Sequence, residues 1–284
     1  MSGNAATEKP EAMTAEDEAQ ILASIRKWLD RDVRPHVKEL EHNDEYPHQM
    51  VEQMKELGLF GATIPTQNGG LGLSASLYAR IVTMISEVWM SLTGIFNSHL
   101  IMATIVQRFG TEWQKEHFLP RFASGELRGG LALTEPGCGT DLQAIQTRAA
   151  RQGDDYVING TKTWITNGIE GTCFALLVKT DPHIEPRHKG MSMFLAEKGE
   201  GFKVGRKLKK LGYKGIDSAE LVFEDYRLPA DRLIGGQEGR GFAHAMGGLE
   251  LGRINVAARG VGIANAALKD SIAYSQIRKT MGKP

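Results

Sequence analysis

The residues with the clearest chemical potential form one short run, Leu131-Ala132-Leu133-Thr134-Glu135-Pro136-Gly137-Cys138-Gly139-Thr140-Asp141. The apolar residues at its start are typical of a strand, and Pro136-Gly137 predicts a turn directly after it. Glycines at 137 and 139 leave backbone N–H groups uncovered, and Thr134 and Thr140 place hydroxyl groups on either side. Such a segment could hold the edge of a heterocycle or a phosphate group. Taken alone, it is more typical of a tight turn that joins two domains.

A second candidate is Trp164-Ile165-Thr166, which places an aromatic ring close to a hydroxyl group on a predicted strand. The Trp side chain could stack on a flat ring while the Thr donates a hydrogen bond to that ring. By itself, the tripeptide is better explained as a core Trp beside a Thr that faces solvent.

Other residue types that often carry chemistry have simpler explanations here. The loop Gly235–Gly241 looks like a nucleotide-binding glycine loop, but no βαβ unit surrounds it, so we interpret it as a connector. The eight histidines contain no HExxH or similar spacing, and His99 in an apolar helix is more typical of a core residue. Cys138 and Cys173 lack metal-ligand spacing. The sequence predicts no metal site, and its two cysteines indicate a reducing intracellular compartment.

The charge balance and the apolar pattern exclude several function classes. The 284 residues include 34 Lys and Arg and 34 Asp and Glu, which gives no reason to expect nucleic-acid binding or general attraction to a membrane. No run approaches the roughly 18 apolar residues of a membrane span. Residues 1–20 resemble neither a signal peptide nor a transit peptide. We therefore expect a protein of the bacterial cytoplasm.

Three blocks of different pattern follow a predicted disordered tail at residues 1–13. Residues 14–128 have helical periodicity, with capping boxes at Thr14 and Thr111. Residues 129–234 contain short β-type runs, and Asn159-Gly160 between two of them predicts a hairpin. Residues 235–284 read as a loop and one long helix. Blocks of this kind favour an α+β multidomain fold: an all-α N-terminal domain, a middle antiparallel β-barrel or sandwich, and the start of a C-terminal helical bundle.

Taken together, these stretches resemble the acyl-CoA dehydrogenase family of flavoproteins. The resemblance runs in family order from about residue 17 to the last residue. Besides the first run, it rests on Gly110–Leu127, Asn159–Gly168, Glu224-Asp225-Tyr226-Arg227-Leu228-Pro229 and Arg278-Lys279-Thr280-Met281-Gly282-Lys283-Pro284. It implies an oxidoreductase that uses FAD to convert an acyl-CoA thioester to the trans-2-enoyl-CoA, as in fatty acid β-oxidation. It also implies electron transfer to an electron-transferring flavoprotein, and a homotetramer built as a dimer of dimers.

The resemblance assigns roles to particular residues by position. Thr134 would hydrogen-bond the pyrimidine side of the flavin, Trp164 would pack on the ring beside Ile165, and Thr166 would lie at N5. The contacts that wrap the flavin would come from Leu131, Ala132, Leu133, Thr134, Glu135, Pro136, Gly137, Cys138, Gly139 and Thr140. The FAD pyrophosphate of a neighbouring subunit would be reached by Arg278, Lys279 and Thr280. The CoA portion of the substrate would be contacted by Thr140, Glu250 and Arg253.

The catalytic base is the gap in this sequence. Some branches of the family carry a Glu at the position of Gly252, and glycine cannot abstract a proton. Glu250 lies two residues away on a helix and so points to a different face, which leaves it unassigned. Other branches carry the base late in the C-terminal domain, so the resemblance implies a Glu beyond Pro284. About 45 residues follow the loop Gly235–Gly241, whereas a four-helix bundle needs roughly 100, and we expect the chain to stop within its last domain.

Two alternatives stay open. An acyl-CoA oxidase or flavin monooxygenase of the same fold would differ in how fast its reduced flavin reacts with oxygen. Glu250 and Arg253 favour a CoA ligand, and hence a dehydrogenase. A non-catalytic subunit or an inactive fragment would agree with Gly252 and with the expected missing end.

Overall fold

The computed structural model describes residues 13–283, and helices and strands follow one another in blocks. The disordered tail was predicted at residues 1–13, and of these only Met13 lies within the described residues. The helices are α1 (Ala15–Trp28), α2 (Val37–Asn43), α3 (His48–Glu56), α4 (Ala75–Ser86), α5 (Met90–Phe109), α6 (Glu112–Ala123) and α7 (Gly241–Ile277). The strands are β1 (Gly129–Ala132), β2 (Arg148–Gln152), β3 (Asp155–Thr166), β4 (Cys173–Lys179), β5 (Met191–Glu197), β6 (Phe202–Lys207) and β7 (Ser218–Pro229). This order confirms the predicted fold class.

Both predicted capping boxes are present. The Thr14 hydroxyl accepts a hydrogen bond from the backbone N–H of Asp17, and the Thr111 hydroxyl accepts one from Gln114. In each case the side chain of the third helical residue also accepts a hydrogen bond from the backbone N–H of the capping Thr. Two backbone donors at the helix start that would otherwise be unpaired are therefore satisfied. None of the helices in residues 13–283 combines the length and the apolar character needed to cross a bilayer.

Helix α5 is the centre of the helical part. It is buried along almost its whole length and packs against α4, α6, α7 and strand β1. A helix that is apolar on all sides must be surrounded by protein. This position explains why most of residues 90–109 are buried and why the segment is predominantly apolar.

The seven strands form one curled sheet with the order β1-β4-β2-β3-β7-β6, and β5 pairs with β4. Most neighbours are antiparallel, as predicted, but β1 runs parallel to β4. The rings of Phe174 on β4 and Phe202 on β6 lie 5.8 Å apart although three other strands separate β4 from β6 in the sheet. The sheet therefore closes over its own apolar face, as a barrel does.

The prediction of a hairpin at Asn159-Gly160 is wrong. Strand β3 continues through both residues, and its pairing with β7 shifts register there, which is the signature of a β-bulge. Gly160 has φ +147°, and a Cβ at this position would lie 2.5 Å from the Thr147 hydroxyl oxygen. The glycine is thus required by the close approach of β2, whereas the Asn-Gly signal alone had indicated a chain reversal.

Helix α7 approaches the other helices through small residues. A Cβ on Gly248 would lie 2.5 Å from the Ile105 side chain, and one on Gly252 would lie 2.8 Å from Ile101. Small residues at these positions let α7 pack closely on α5. From Val256 onward α7 exposes a set of apolar side chains: Val256, Val261, Ile263, Leu268, Ile272, Tyr274 and Ile277.

The bulge gives a test of this β3 geometry. We expect Gly160→Ala to lower the free energy of unfolding by about 1–3 kcal/mol, because the added methyl group meets Thr147 and the residue keeps an unfavourable φ. Gly199→Ala is the matched control, since nothing lies within 4 Å of its added Cβ, and it should change stability by about 0.5 kcal/mol or less. Urea unfolding measures both, and equal effects of the two substitutions would contradict the bulge.

Candidate functional site

The first candidate run forms an open turn beyond the end of β1. The backbone N–H of Glu135 donates to the Cys138 carbonyl at 2.9 Å, and the Cys138 N–H donates back to the Glu135 carbonyl at 3.1 Å. Pro136 and Gly137 lie exposed at the tip. No atom lies within 4 Å of a Cβ built on Gly137, and only a Thr134 methyl group does so at Gly139. The turn therefore presents uncovered backbone with room beside it for a ligand.

A buried ion pair lies beneath this turn. The Lys162 ammonium on β3 contacts the Glu135 carboxylate at 2.8 Å, and the two side chains are 0% and 6% exposed. Lys162 also donates to the Leu133 carbonyl at 3.0 Å. The carboxylate accepts the backbone N–H groups of Gln146 and Thr147 at 2.5 and 3.0 Å. Since both charges are hydrogen-bonded, the pair meets the condition under which charges are tolerated in a protein interior.

The pair remains charged at neutral pH. Burial lowers the pKa of Lys162 to about 8, and the Glu135 carboxylate opposes that shift. Burial alone would raise the pKa of Glu135, but the Lys162 ammonium and the hydrogen bonds to the carboxylate outweigh it and lower that pKa. Lys162 is therefore mostly protonated and Glu135 ionised near pH 7.

The second candidate lies next to the pair on β3. The Thr163 N–H donates to the Thr134 carbonyl at 2.9 Å, which joins β3 to the turn. The pairing of β3 with β7 shifts register between Lys162 and Ile165, and Trp164 has φ +57°. As a result the Trp164 side chain is 55% exposed, Ile165 is buried and Thr166 is half-buried. A large aromatic ring held outside the core by a residue in a left-handed conformation is unusual and makes this surface a candidate for ligand binding.

A buried amide fixes the end of β3. The Asn167 side chain donates to the carbonyl of Ile95 on α5 and to that of Gly129 on β1, both at 2.8 Å. It thus ties the strand with Trp164 to the strand that precedes the turn. Sequence reasoning missed Asn167 and Lys162 as organising residues. A Lys inside a run of β-type residues was the available signal, because a charge in a buried strand must have a partner.

The remaining predicted residues lie on α7 and just after it. Glu250 forms an ion pair with Arg108 on α5 at 2.6 Å, at the edge of a cleft of about 260 Å³ between α4, α5 and α7. Arg253 is exposed and Gly252 is buried. The residues Arg278, Lys279 and Thr280 are exposed, and Thr280 closes a tight turn with Lys283. No hydrogen bond among residues 13–283 joins any of these side chains to the turn of residues 134–140.

The described part of the chain contains no cluster of side chains that could bind a metal ion. His, Cys, Asp and Glu side chains in residues 13–283 form no group of three or more that could hold an ion. Buried His99 instead lies between the rings of Phe60 and Phe122 and hydrogen-bonds the Phe122 carbonyl at 3.0 Å. Burial lowers its pKa to about 4, so it is a neutral core residue.

The chain is similar to known proteins along most of its length. It is 36% identical over 278 residues to (2S)-methylsuccinyl-CoA dehydrogenase of Cereibacter sphaeroides, covering 94% of this chain and 50% of that protein. It is 37% identical over 273 residues to the short-chain specific acyl-CoA dehydrogenase of Clostridium acetobutylicum, covering 95% and 71%. The chain thus spans between half and about seven tenths of the length of these relatives.

Solved structures share the fold. The butyryl-CoA dehydrogenase of Megasphaera elsdenii matches with a TM-score of 0.90 and 33% identity, over 97% of this chain and 73% of that one. A glutaryl-CoA dehydrogenase of Mycobacterium smegmatis, in complex with FADH2, matches with a TM-score of 0.86 and 28% identity, over 97% and 69%.

Three domain families match in succession along the chain. Residues 15–126 match the acyl-CoA dehydrogenase N-terminal domain, residues 130–226 the middle domain and residues 239–284 the C-terminal domain. Together with relatives above 30% identity, these matches cover both candidate segments and all of the helices and strands described above. The chain therefore belongs to the acyl-CoA dehydrogenase family.

Proposed function

We propose that this chain binds FAD and takes part in the α,β-dehydrogenation of an acyl-CoA thioester to the trans-2-enoyl-CoA. The observation that carries the proposal is the exposed Trp164 ring, held by a bulge beside an uncovered glycine turn. An exposed aromatic ring and free backbone donors are what a flat, polar-edged heterocycle needs. Membership of the family supports the same cofactor.

The residues around the turn have the right chemistry for FAD. Leu131–Thr140 and Trp164–Thr166 would hold the ring, with the half-buried hydroxyls of Thr134 and Thr166 as hydrogen-bonding groups. The glycines at 137 and 139 leave space that a side chain would fill. We further propose that Arg278, Lys279 and Thr280 bind the pyrophosphate of FAD in a neighbouring subunit. When bound, FAD supplies the acceptor for the hydride that leaves the β-carbon of the acyl group.

On the substrate side, Thr140, Glu250 and Arg253 are proposed to contact the CoA portion. The Arg108–Glu250 ion pair holds the Glu250 carboxylate at the edge of the cleft between α4, α5 and α7. In this assignment the three side chains orient the thioester by binding its CoA portion.

We assign no residue of this chain as the general base. Gly252 has no side chain and packs on Ile101, and the Glu250 carboxylate is paired with Arg108. A base for the α-proton needs a raised pKa, which burial beside the substrate provides. Glu250 is instead exposed, and its carboxylate already pairs with Arg108.

The wider setting of the reaction is also a proposal. Transfer of electrons to an electron-transferring flavoprotein follows from the family resemblance. A homo-oligomer is supported by the apolar side chains that α7 exposes, because patches of this kind usually meet another protein surface. A bacterial cytoplasm agrees with the free thiols of Cys138 and Cys173. Fatty acid β-oxidation as the process follows from the family resemblance.

Titration with FAD tests the proposed site directly. We expect added FAD to quench Trp emission, because the Trp164 ring would stack on the bound cofactor. Trp164→Leu should remove most of this quenching and weaken binding by about tenfold, as expected when about 1.4 kcal/mol of stacking is lost.

The matched control is Trp113→Leu on α6. The Trp113 side chain is 43% exposed but stacks on His117, away from the turn. Its loss should leave the FAD affinity and the quenching unchanged. Equal effects of the two substitutions, or no binding by the unaltered chain, would contradict the proposed function.

The Thr166 hydroxyl should matter for the rate more than for binding. We expect Thr166→Val to slow the reduction of bound FAD by dithionite, a reductant that needs no protein base, about fivefold, because one hydrogen bond of about 1 kcal/mol is lost where charge develops. The dissociation constant of FAD should change by less than about twofold. Thr161→Val, on the same strand, is the control. Lost binding at an unchanged reduction rate would reverse the assigned role.

A further inference from the structure

The Glu135–Lys162 pair is assigned no chemical step in the reaction proposed above, where Glu135 enters only as part of the Leu131–Thr140 segment. It is nevertheless the ion pair in residues 13–283 with the most deeply buried partners. In each of the other described pairs at least one side chain is more than a tenth exposed. Removing two charges from water is costly, and apolar residues of similar volume often stabilise a fold equally well. Stability alone is therefore a poor explanation for the pair.

The contacts of the pair join three segments of the chain. Lys162 on β3 donates to the Leu133 carbonyl, just beyond β1, and to the Glu135 carboxylate. The same carboxylate accepts the N–H groups of Gln146 and Thr147, just before β2. Residues 133–147 thus leave the sheet near a carbonyl bound by the Lys162 ammonium and return to it at N–H groups bound by the Glu135 carboxylate, so both points converge on the ion pair. The open turn lies within this excursion.

The pair also lies directly beneath the exposed aromatic residue. Thr163, the next residue after Lys162, donates its N–H to the Thr134 carbonyl at the start of the turn. Trp164 follows at the bulge. The distance from the turn to the Trp164 ring is therefore fixed by backbone that the pair holds from below.

We propose that Glu135 and Lys162 are positioning residues of the flavin site, whose ion pair fixes the turn of residues 134–140 relative to Trp164. This inference rests on the proposed FAD function. Neither side chain reaches the ligand surface, since both are buried. They act through the backbone of the turn and of β3. Precise placement of a binding surface by buried supporting residues is what gives a site its affinity.

The test uses the variant Glu135→Gln/Lys162→Met, which removes both charges with little change of volume. We expect an unfolding midpoint close to that of the unaltered chain, because no unpaired charge is left inside. Without FAD, the backbone amides of residues 134–140 and of Thr163 should exchange their hydrogens faster. FAD should bind about tenfold more weakly, because the two halves of its surface are no longer held in register.

A matched control separates positioning from stability. Leu228→Ala removes a buried side chain at the far end of the sheet, where Leu228 pairs with Tyr156. It should lower the unfolding midpoint and leave both the FAD affinity and the exchange at the turn unchanged. If the double variant does not fold, Glu135→Asp alone, which keeps both charges but draws the carboxylate back from Lys162 by one methylene group, should give the same changes in exchange and affinity to a smaller extent.

The outcomes distinguish the two proposals. If the unaltered chain binds FAD and the double variant binds it equally well, with unchanged exchange at the turn, the positioning role is overturned and the FAD function stands. If Leu228→Ala weakens FAD binding as much as the double variant does, general loss of stability explains the effect and the inference is again wrong. If the unaltered chain does not bind FAD, the proposed function fails and the inference fails with it.

Discussion

Two opposite charges buried beneath a glycine turn impose the constraint on which the candidate site depends. A carboxylate and an ammonium group are tolerated at this depth because they pair with each other and because backbone groups of two segments, at Leu133 and at Gln146 and Thr147, satisfy them. Those segments are then obliged to converge. The convergence leaves the tip of the turn open and brings β3 alongside it, and the bulge after Lys162 turns Trp164 outward. The exposed surface of the site is thus a consequence of the polar contacts below it.

A second constraint comes from the close packing of α7. Gly248 and Gly252 lie where side chains would collide with Ile105 and Ile101 of α5. The sequence had left Gly252 as a position where some relatives carry their catalytic Glu. In this fold the glycine has a packing role, since a larger residue would have to displace Ile101. The same close approach positions Glu250 near Arg108, at the edge of the cleft between α4, α5 and α7.

The sequence predicted those features that depend on neighbouring residues. The capping boxes at Thr14 and Thr111, the long helix α7 and the strands of the middle region were all confirmed, because local pattern determines them. Asn159-Gly160 was misinterpreted because a glycine forced by a neighbouring strand looks the same as a glycine in a hairpin. Lys162 and Asn167 were missed because their partners lie on other segments, and no local pattern identifies such contacts. The family resemblance indicated the turn and Trp164 as parts of one site, but the bond from Thr163 to Thr134 emerged only from the fold.

The central claim is that the turn of residues 134–140 and the Trp164 face of β3 form one surface for the flavin ring. A crystal structure of the chain with FAD bound would test it most directly. The account predicts that the isoalloxazine ring contacts the Trp164 side chain and the backbone of the turn together, with the Glu135–Lys162 pair intact below. A ring bound elsewhere, or one that contacts the turn while Trp164 remains exposed to solvent, would contradict the account.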